Sequence, residues 1–133
     1  MNPVVHFEMP YEDANRAADF YSKAFGWKAQ MTGPEMGNYV VVHTTETDEH
    51  QMVKKPGTIN GGLFKKSEKN NIPSVVISVD NIQEAMKKVV DAGGKITGGQ
   101  TPGVPDEIPG IGLWISFTDS EGNRVSMLQP KGM

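Results

Sequence analysis

The sequence predicts an α+β fold made of two βαβββ modules in a single domain of residues 1–133. Near the N-terminus, a short alternating strand leads directly into an amphipathic helix. The same strand–helix unit returns once, at a shift of 68 positions that carries Ala14 onto Ile82 without a gap. Three strand-like segments follow each unit, so the modules cover about residues 1–66 and 72–130.

The first unit begins with a strand from Val4 to Met9, in which alternate side chains are apolar. We expect Pro10 to end this strand, because proline has no N–H for ladder pairing. Apolar residues then recur at helical spacing from Ala14, and Gly26 supplies a left-handed helix stop.

Three further strands are predicted in the first module, and the last contains two adjacent glycines, Gly61 and Gly62. Such a pair indicates a bulge or a close approach by a ligand or by backbone. The predicted strands cover residues 27–31, 38–45 and 57–65.

The second module repeats this plan with a strand over residues 74–79 and a helix that starts at Asp80, its predicted N-cap. Gly93 and Gly94 end the helix. A Pro/Gly-rich loop from Gly99 to Pro109 is long enough to cover a pocket. The other predicted strands cover residues 95–99, 112–118 and 124–129.

The alternation has the same phase in both modules, because the 68-residue shift carries Phe7 onto Val75 and Met9 onto Ile77. Neither module buries its sheet and helix well alone, so we expect the two to pair. The helix-free faces would then form a curved mixed sheet around a cavity. The side chains predicted to point into it include His6, Glu8, Ser74 and Ser78.

Composition excludes several classes of function. The formal net charge is −3 without a basic cluster, so we expect neither a nucleic acid nor a membrane partner. The chain has no cysteine, which excludes disulfides, thiolate metal sites and a cysteine nucleophile. No signal peptide and no run of about 20 apolar residues is evident, so we expect a cytoplasmic protein.

Two stretches resemble a known superfamily. The opening VVHFEMPYEDANRAADFYSKAFGW and the ending FTDSEGNRVSML, together with the βαβββ repeat, are similar to the vicinal oxygen chelate superfamily. That superfamily contains glyoxalase I, bleomycin-resistance proteins and extradiol dioxygenases. Among the members of that superfamily, the sequence most resembles the single-domain bacterial glyoxalase-like proteins. The resemblance also implies a homodimer.

The resemblance implies where metal ligands would lie. Metal-using members place one ligand on the first and one on the last strand of each module. Here these positions hold His6, then Asn60 or Gly61, then Ser74 and Ser126. Only His6 is a usual ligand, so the site for a divalent Zn, Ni, Fe or Mn ion is incomplete.

Eight residues are candidates for the site. His6 is read in three ways: as a metal ligand, as a general base in a metal-free pocket, or as a residue without chemistry. Glu8, two residues along the same face, is a second catalytic candidate. The predicted ligand-binding residues are Tyr39, Asn60, Ser74, Trp114, Arg124 and Ser126.

The function expected from this resemblance is a glyoxalase-like protein with a small-molecule pocket and an unassigned reaction. One alternative is a metal-dependent enzyme, either a lactoylglutathione-lyase-like protein or a dioxygenase. The other is a non-catalytic protein that binds an antibiotic, as in bleomycin resistance, or a metabolite.

Overall fold

The computed structural model describes residues 1–131, and within them the chain forms two α-helices and nine β-strands. The α+β prediction with two βαβββ modules is confirmed, although the second module has one additional short strand. The elements are β1 (Val4–Tyr11), α1 (Ala14–Phe25), β2 (Lys28–Met31), β3 (Val40–His43), β4 (Asn60–Lys65), β5 (Ser74–Ser78), α2 (Ile82–Asp91), β6 (Lys95–Ile96), β7 (Asp106–Ile108), β8 (Gly112–Thr118) and β9 (Arg124–Pro130).

The chain divides into two compact units. One unit is His6–Pro73, and the other joins Met1–Val5 to the chain from Ser74 onward. The first residues belong with the second unit because the Pro3 carbonyl accepts a hydrogen bond of 2.9 Å from the Ser78 N–H. No helix within residues 1–131 is both long and apolar enough to cross a membrane.

In the unit His6–Pro73, the strands lie in the order β2-β3-β4-β1. The pairing of β1 with β4 is parallel, and it places His6 beside Asn60 and Glu8 beside Gly62. Helix α1 packs on one face through Ala14 and Ala17. The buried core there consists of Tyr11, Val40, Val42 and Leu63.

Pro10 does not end β1, contrary to the prediction, since the strand continues to Tyr11. The Tyr11 carbonyl accepts from the Lys66 N–H at 2.9 Å, so Tyr11 directs its backbone groups toward β4. Consecutive residues of a strand direct these groups to opposite edges. The nitrogen of Pro10 therefore faces away from β4, and its missing N–H costs that pairing nothing.

In the other unit, the strands lie in the order β5-β9-β8-β6, and β7 also pairs with β8. Strand β7 lies within the segment predicted as a loop, and its three residues carry too little pattern to be recognised. Helix α2 packs on one face. The buried core there consists of Val79, Ile82, Ala85, Ile115, Phe117 and Met127.

Both helices have defined caps. Helix α1 starts at Asp13, whose Oδ1 accepts from the Arg16 N–H at 3.0 Å, and it ends at Gly26 with φ 74° as predicted. The N-cap of α2 is Asn81, whose Oδ1 accepts from the Glu84 N–H at 3.0 Å. The assignment of Asp80 was therefore wrong by one residue, because both side chains suit an N-cap and sequence alone does not separate them.

Candidate functional site

Three predicted site residues meet on the face of the first unit that lies opposite α1. His6 and Glu8 alternate with Phe7 and Met9, which pack toward the helix. Tyr39 immediately precedes β3 and extends its ring across the same face. Its hydroxyl donates to Glu8 Oε2 at 3.0 Å and lies 3.3 Å from His6 Nε2.

These contacts favour one tautomer of His6. A phenol carries one proton, and Tyr39 donates it to Glu8. The phenol oxygen then acts as the acceptor for an N–H on His6 Nε2. A neutral imidazole has one N–H, so the lone pair of His6 is on Nδ1.

Burial controls the charges of this cluster. It lowers the pKa of His6 below its ordinary value of 6.5, so the ring is neutral at pH 7. The pKa of Tyr39 is raised far above its ordinary value of 10.0. Burial is the largest cause, and the charge of Glu8 and the hydrogen bond to it add to the effect. The carboxyl group of Glu8 is itself buried, with 7% of the residue exposed.

Gly62 makes room for Tyr39. A Cβ atom at this position would collide with the Tyr39 hydroxyl and ring, whereas one at Gly61 would collide with the Phe7 ring on the other face. The pairing of β4 with β1 is continuous through both glycines, so they form no bulge. The predicted close approach is real, but the approaching groups are aromatic side chains.

Hydrogen bonds to the backbone just before β3 hold the Cα atom from which the Tyr39 side chain extends. The Tyr39 carbonyl accepts from the Thr32 N–H at 3.1 Å and from the Thr32 hydroxyl. Asn38 has φ 56°, and its carbonyl accepts from the Tyr11 hydroxyl at 2.7 Å. Sequence reasoning missed Thr32 and Asn38, since neither carries a motif and each acts through a hydrogen bond to a backbone carbonyl.

Asn60 has a structural contact. Its Oδ1 accepts from the N–H groups of Thr44 and Thr45, at 2.8 and 3.1 Å, and so holds the segment that leaves β3. Ligand binding by Asn60 stays a prediction, and its carbonyl oxygen already has two donors.

The remaining predicted site residues lie in the second unit. Ile115 and Met127 face α2, so their neighbours Trp114, Ser116 and Ser126 face the opposite side of the sheet. Ser126 pairs with Val76 and with Ser116. Arg124 pairs with Thr118 and is partly buried.

Two serine hydroxyls in this unit are buried without a partner. The Oγ atoms of Ser74 and Ser126 have no hydrogen bond to any described residue, and Ser126 is 0% exposed. A buried hydroxyl left unpaired costs on the order of 1–3 kcal/mol. Their use in one site with His6 stays a prediction.

The donor set does not fit a resident metal ion. Among residues 1–131, no group of three or more His, Asp or Glu side chains could hold one. The positions that correspond to His6 in the family pattern include Ser74 and Ser126, whose neutral hydroxyls compete poorly with water.

Comparison with known proteins gives a consistent match. The model of the Glyoxalase/Bleomycin resistance protein/Dioxygenase superfamily matches residues 4–127. A glyoxylase-like domain-containing protein of Didymella fabae is 34% identical over 122 residues, which are 87% of this chain and 84% of that protein. A lactoylglutathione lyase of Escherichia coli O157:H7 is 27% identical over 131 residues, with 96% and 93% coverage.

Solved structures show the same fold. Methylmalonyl-CoA epimerase from Mycobacterium tuberculosis superposes with a TM-score of 0.67 at 11% identity, covering 97% of this chain and 88% of that one. At this identity the likeness concerns the fold alone.

Proposed function

Since the chain belongs to the Glyoxalase/Bleomycin resistance protein/Dioxygenase superfamily, we propose that it binds a small molecule beside His6 and transfers a proton. The observation that carries this proposal is the hydrogen-bonded chain from His6 through Tyr39 to Glu8. In it His6 is the general base, while Tyr39 and Glu8 are positioning residues.

The chain of contacts suits a base that gains and returns one proton. Neutral His6 accepts the substrate proton at Nδ1, which leaves an imidazolium with N–H groups on both ring nitrogens. The Nε2–H continues to donate to the Tyr39 oxygen, and the buried carboxylate of Glu8 stabilises the new positive charge across the phenol. The imidazolium exchanges its proton with solvent and then returns one proton to the carbanion carbon, so no co-reactant is needed.

The proposed reaction class is proton abstraction from carbon next to a carbonyl group. A general base near its working pH contributes about 10²–10⁴ in rate to such a step. We would incubate the protein with a panel of small carbonyl compounds in D₂O and follow exchange of the α-hydrogen by NMR. His6→Asn should slow exchange by roughly 100-fold or more.

A control variant separates the loss of the general base from a general effect of replacing a histidine. His50→Asn removes an exposed histidine of a polar loop, and it should leave exchange unchanged. Exchange that persists undiminished in His6→Asn contradicts the proposal. A compound that binds tightly without any exchange in the wild type also contradicts it, and supports a non-catalytic binding protein of the bleomycin-resistance kind.

The similarity to a lactoylglutathione lyase favours a second candidate function, which is metal-dependent formation of S-lactoylglutathione. We propose testing S-lactoylglutathione formation with and without added nickel or zinc. Formation that requires the metal and is lost in His6→Ala would support the metal-dependent reading over metal-free proton transfer.

The same proposal includes four general properties of the protein: a single domain, a homodimer, a cytoplasmic location and no nucleic acid partner. Family resemblance supports the dimer, and the net charge of −3 is unfavourable for nucleic acid binding. Light scattering during size-exclusion chromatography measures the dimer directly, and a monomeric mass would contradict it. Cell fractionation tests the location.

A further inference from the structure

We infer that Asn60 is a further catalytic residue for the proton transfer: its side-chain Nδ2 donates a hydrogen bond to the carbonyl oxygen of the substrate while His6 removes the neighbouring proton. The inference rests on the proposed function, because it assigns the group that stabilises the enolate formed in that step. Its test uses a variant that leaves His6 in place, so the inference can fail while proton transfer by His6 holds.

Removal of a proton next to a carbonyl group places negative charge on the carbonyl oxygen. When the C–H bond breaks, the proton passes to His6 Nδ1 and the electron pair forms the C=C bond of an enolate. The π electron pair of the carbonyl group moves onto its oxygen, where a hydrogen-bond donor stabilises it. Tyr39 does not supply this donor, because its one proton is donated to Glu8. Return of a proton to the carbon restores the carbonyl group, so no oxidant or reductant is consumed.

Strand register places Asn60 beside His6. The two residues are direct partners in the parallel pairing of β4 with β1. Directly paired residues of neighbouring strands project to the same face of a sheet, and the strands lie about 4.7–4.9 Å apart. Both side chains therefore start from adjacent points on the face opposite α1.

Hydrogen bonds to the segment after β3 show which end of the Asn60 amide is the donor. Its Oδ1 accepts from the N–H groups of Thr44 and Thr45, at 2.8 and 3.1 Å. An amide nitrogen donates and does not accept, so these two contacts identify the oxygen and the nitrogen. Within residues 1–131, Nδ2 donates to no protein atom. It is also absent from the atoms that are both buried and unpartnered, so Nδ2 is open to solvent.

The same two contacts orient the donor in advance. They hold the Asn60 oxygen against the backbone of Thr44 and Thr45, which keeps the planar amide in one orientation. A donor that is already oriented needs no reorganisation when charge develops on the substrate oxygen. Asn60 is partly buried, and the reduced contact with water strengthens a hydrogen bond to that charge. Asn60 thus combines a structural contact through its oxygen with a catalytic contact through its nitrogen.

Asn60→Asp separates these two roles. The carboxylate keeps both oxygen contacts with Thr44 and Thr45, but it has no N–H to donate. Urea unfolding should show no loss of stability, whereas exchange of the α-hydrogens of acetone, pyruvate and ethyl acetoacetate in D₂O should fall roughly 100-fold or more. Asn81→Asp is the matched control, because Asn81 Oδ1 also accepts from a backbone N–H and exchange should be unchanged.

A pH profile of the exchange rate separates the lost donor from the added charge. A carboxylate beside His6 favours the protonated imidazole, which moves the midpoint of the profile to higher pH and leaves the plateau above it in place. A loss that persists on the plateau therefore reports the missing donor. Infrared spectroscopy gives an independent signature, since donation from Nδ2 lowers the stretching frequency of a bound, ¹³C-labelled carbonyl group of whichever of the three compounds exchanges fastest. Asn60→Asp should return this frequency toward that of the free compound, and Asn60→Ala gives the same comparison if Asn60→Asp does not fold.

Two results would overturn this inference and leave the proposed function standing. One is full exchange on the plateau in a folded Asn60→Asp protein, when His6→Asn has lost exchange. The other is a carbonyl frequency in the wild-type complex equal to that of the free compound. A wild-type protein that exchanges none of the three compounds would overturn the proposed function and this inference together.

Discussion

Gly62 on β4 leaves the space that the ring and hydroxyl of Tyr39 fill, and this relationship is what brings the phenol between His6 and Glu8. The two residues are 23 positions apart in the chain. They become neighbours only because β3 and β4 pair antiparallel, with Val41 opposite Gly62. The site is thus assembled by strand register, with no local motif.

Gly62→Ala should therefore displace Tyr39 and disable the site. Overpacking of this kind costs about 1–3 kcal/mol of unfolding free energy, which chemical denaturation measures. Gly61→Ala is the matched control, because its Cβ collides with Phe7 on the opposite face and should cost a similar amount. Only Gly62→Ala should lose substrate binding and α-hydrogen exchange. Equal losses in both variants would show that general destabilisation is responsible.

The buried imidazole of His6 should make stability depend on pH. Its pKa is lowered in the folded protein, so the unfolded chain binds this proton more readily. The contribution of His6 is complete above pH 6.5 and falls as the pH drops from 6.5 toward the folded pKa. The slope from this one group is at most about 1.4 kcal/mol per pH unit. Urea unfolding across this range should show a slope that His6→Asn removes. An unchanged slope in the variant would assign it to other groups.

Tyr39 should give the opposite trend in alkali. Its pKa is raised, so the folded state retains a proton that the unfolded chain releases above pH 10.0. Stability should fall as the pH rises beyond 10.0, and Tyr39→Phe should weaken that fall. The wild-type minus Tyr39→Phe difference in tyrosinate absorbance should stay near zero until the protein unfolds. Ionisation of this residue in the folded protein would contradict the geometry described for it.

Asp80 and Asn81 are the two adjacent candidates for the N-cap of α2, and substitution of each should change the unfolding free energy differently. Asn81→Ala should cost about 1 kcal/mol, because its side chain accepts from the Glu84 N–H. Asp80→Ala should change the unfolding free energy by less than about 0.5 kcal/mol. Thermal and urea unfolding of the pair measure the difference. A larger loss for Asp80→Ala would support the assignment made from sequence.

Periodicity predicted the modules because each strand and helix shows its buried face within a few residues. The 68-residue shift added long-range information, since two copies of one pattern imply two copies of one fold. The same reasoning grouped His6 with Glu8 on one face, and their contacts to Tyr39 agree with that parity.

The remaining details depend on contacts that no local pattern encodes. Pro10 continues β1 because its nitrogen faces away from β4, which depends on register. Strand β7 exists because residues 106–108 pair with β8. The contact of Tyr39 with Glu8 required three strands in register and a glycine opposite the ring.

Ser126 permits a last test that separates folding from ligand binding. Its hydroxyl is fully buried and has no partner among the described residues, so it destabilises the unliganded protein. Ser126→Ala should raise the unfolding free energy by about 1 kcal/mol, while Ser120→Ala at the exposed turn should leave it nearly unchanged. If a ligand supplies the missing partner, the same variant should bind that ligand more weakly. Opposite effects on stability and affinity would thus show that Ser126 contacts the ligand, whereas a loss of stability would show that its hydroxyl is already bonded in the fold.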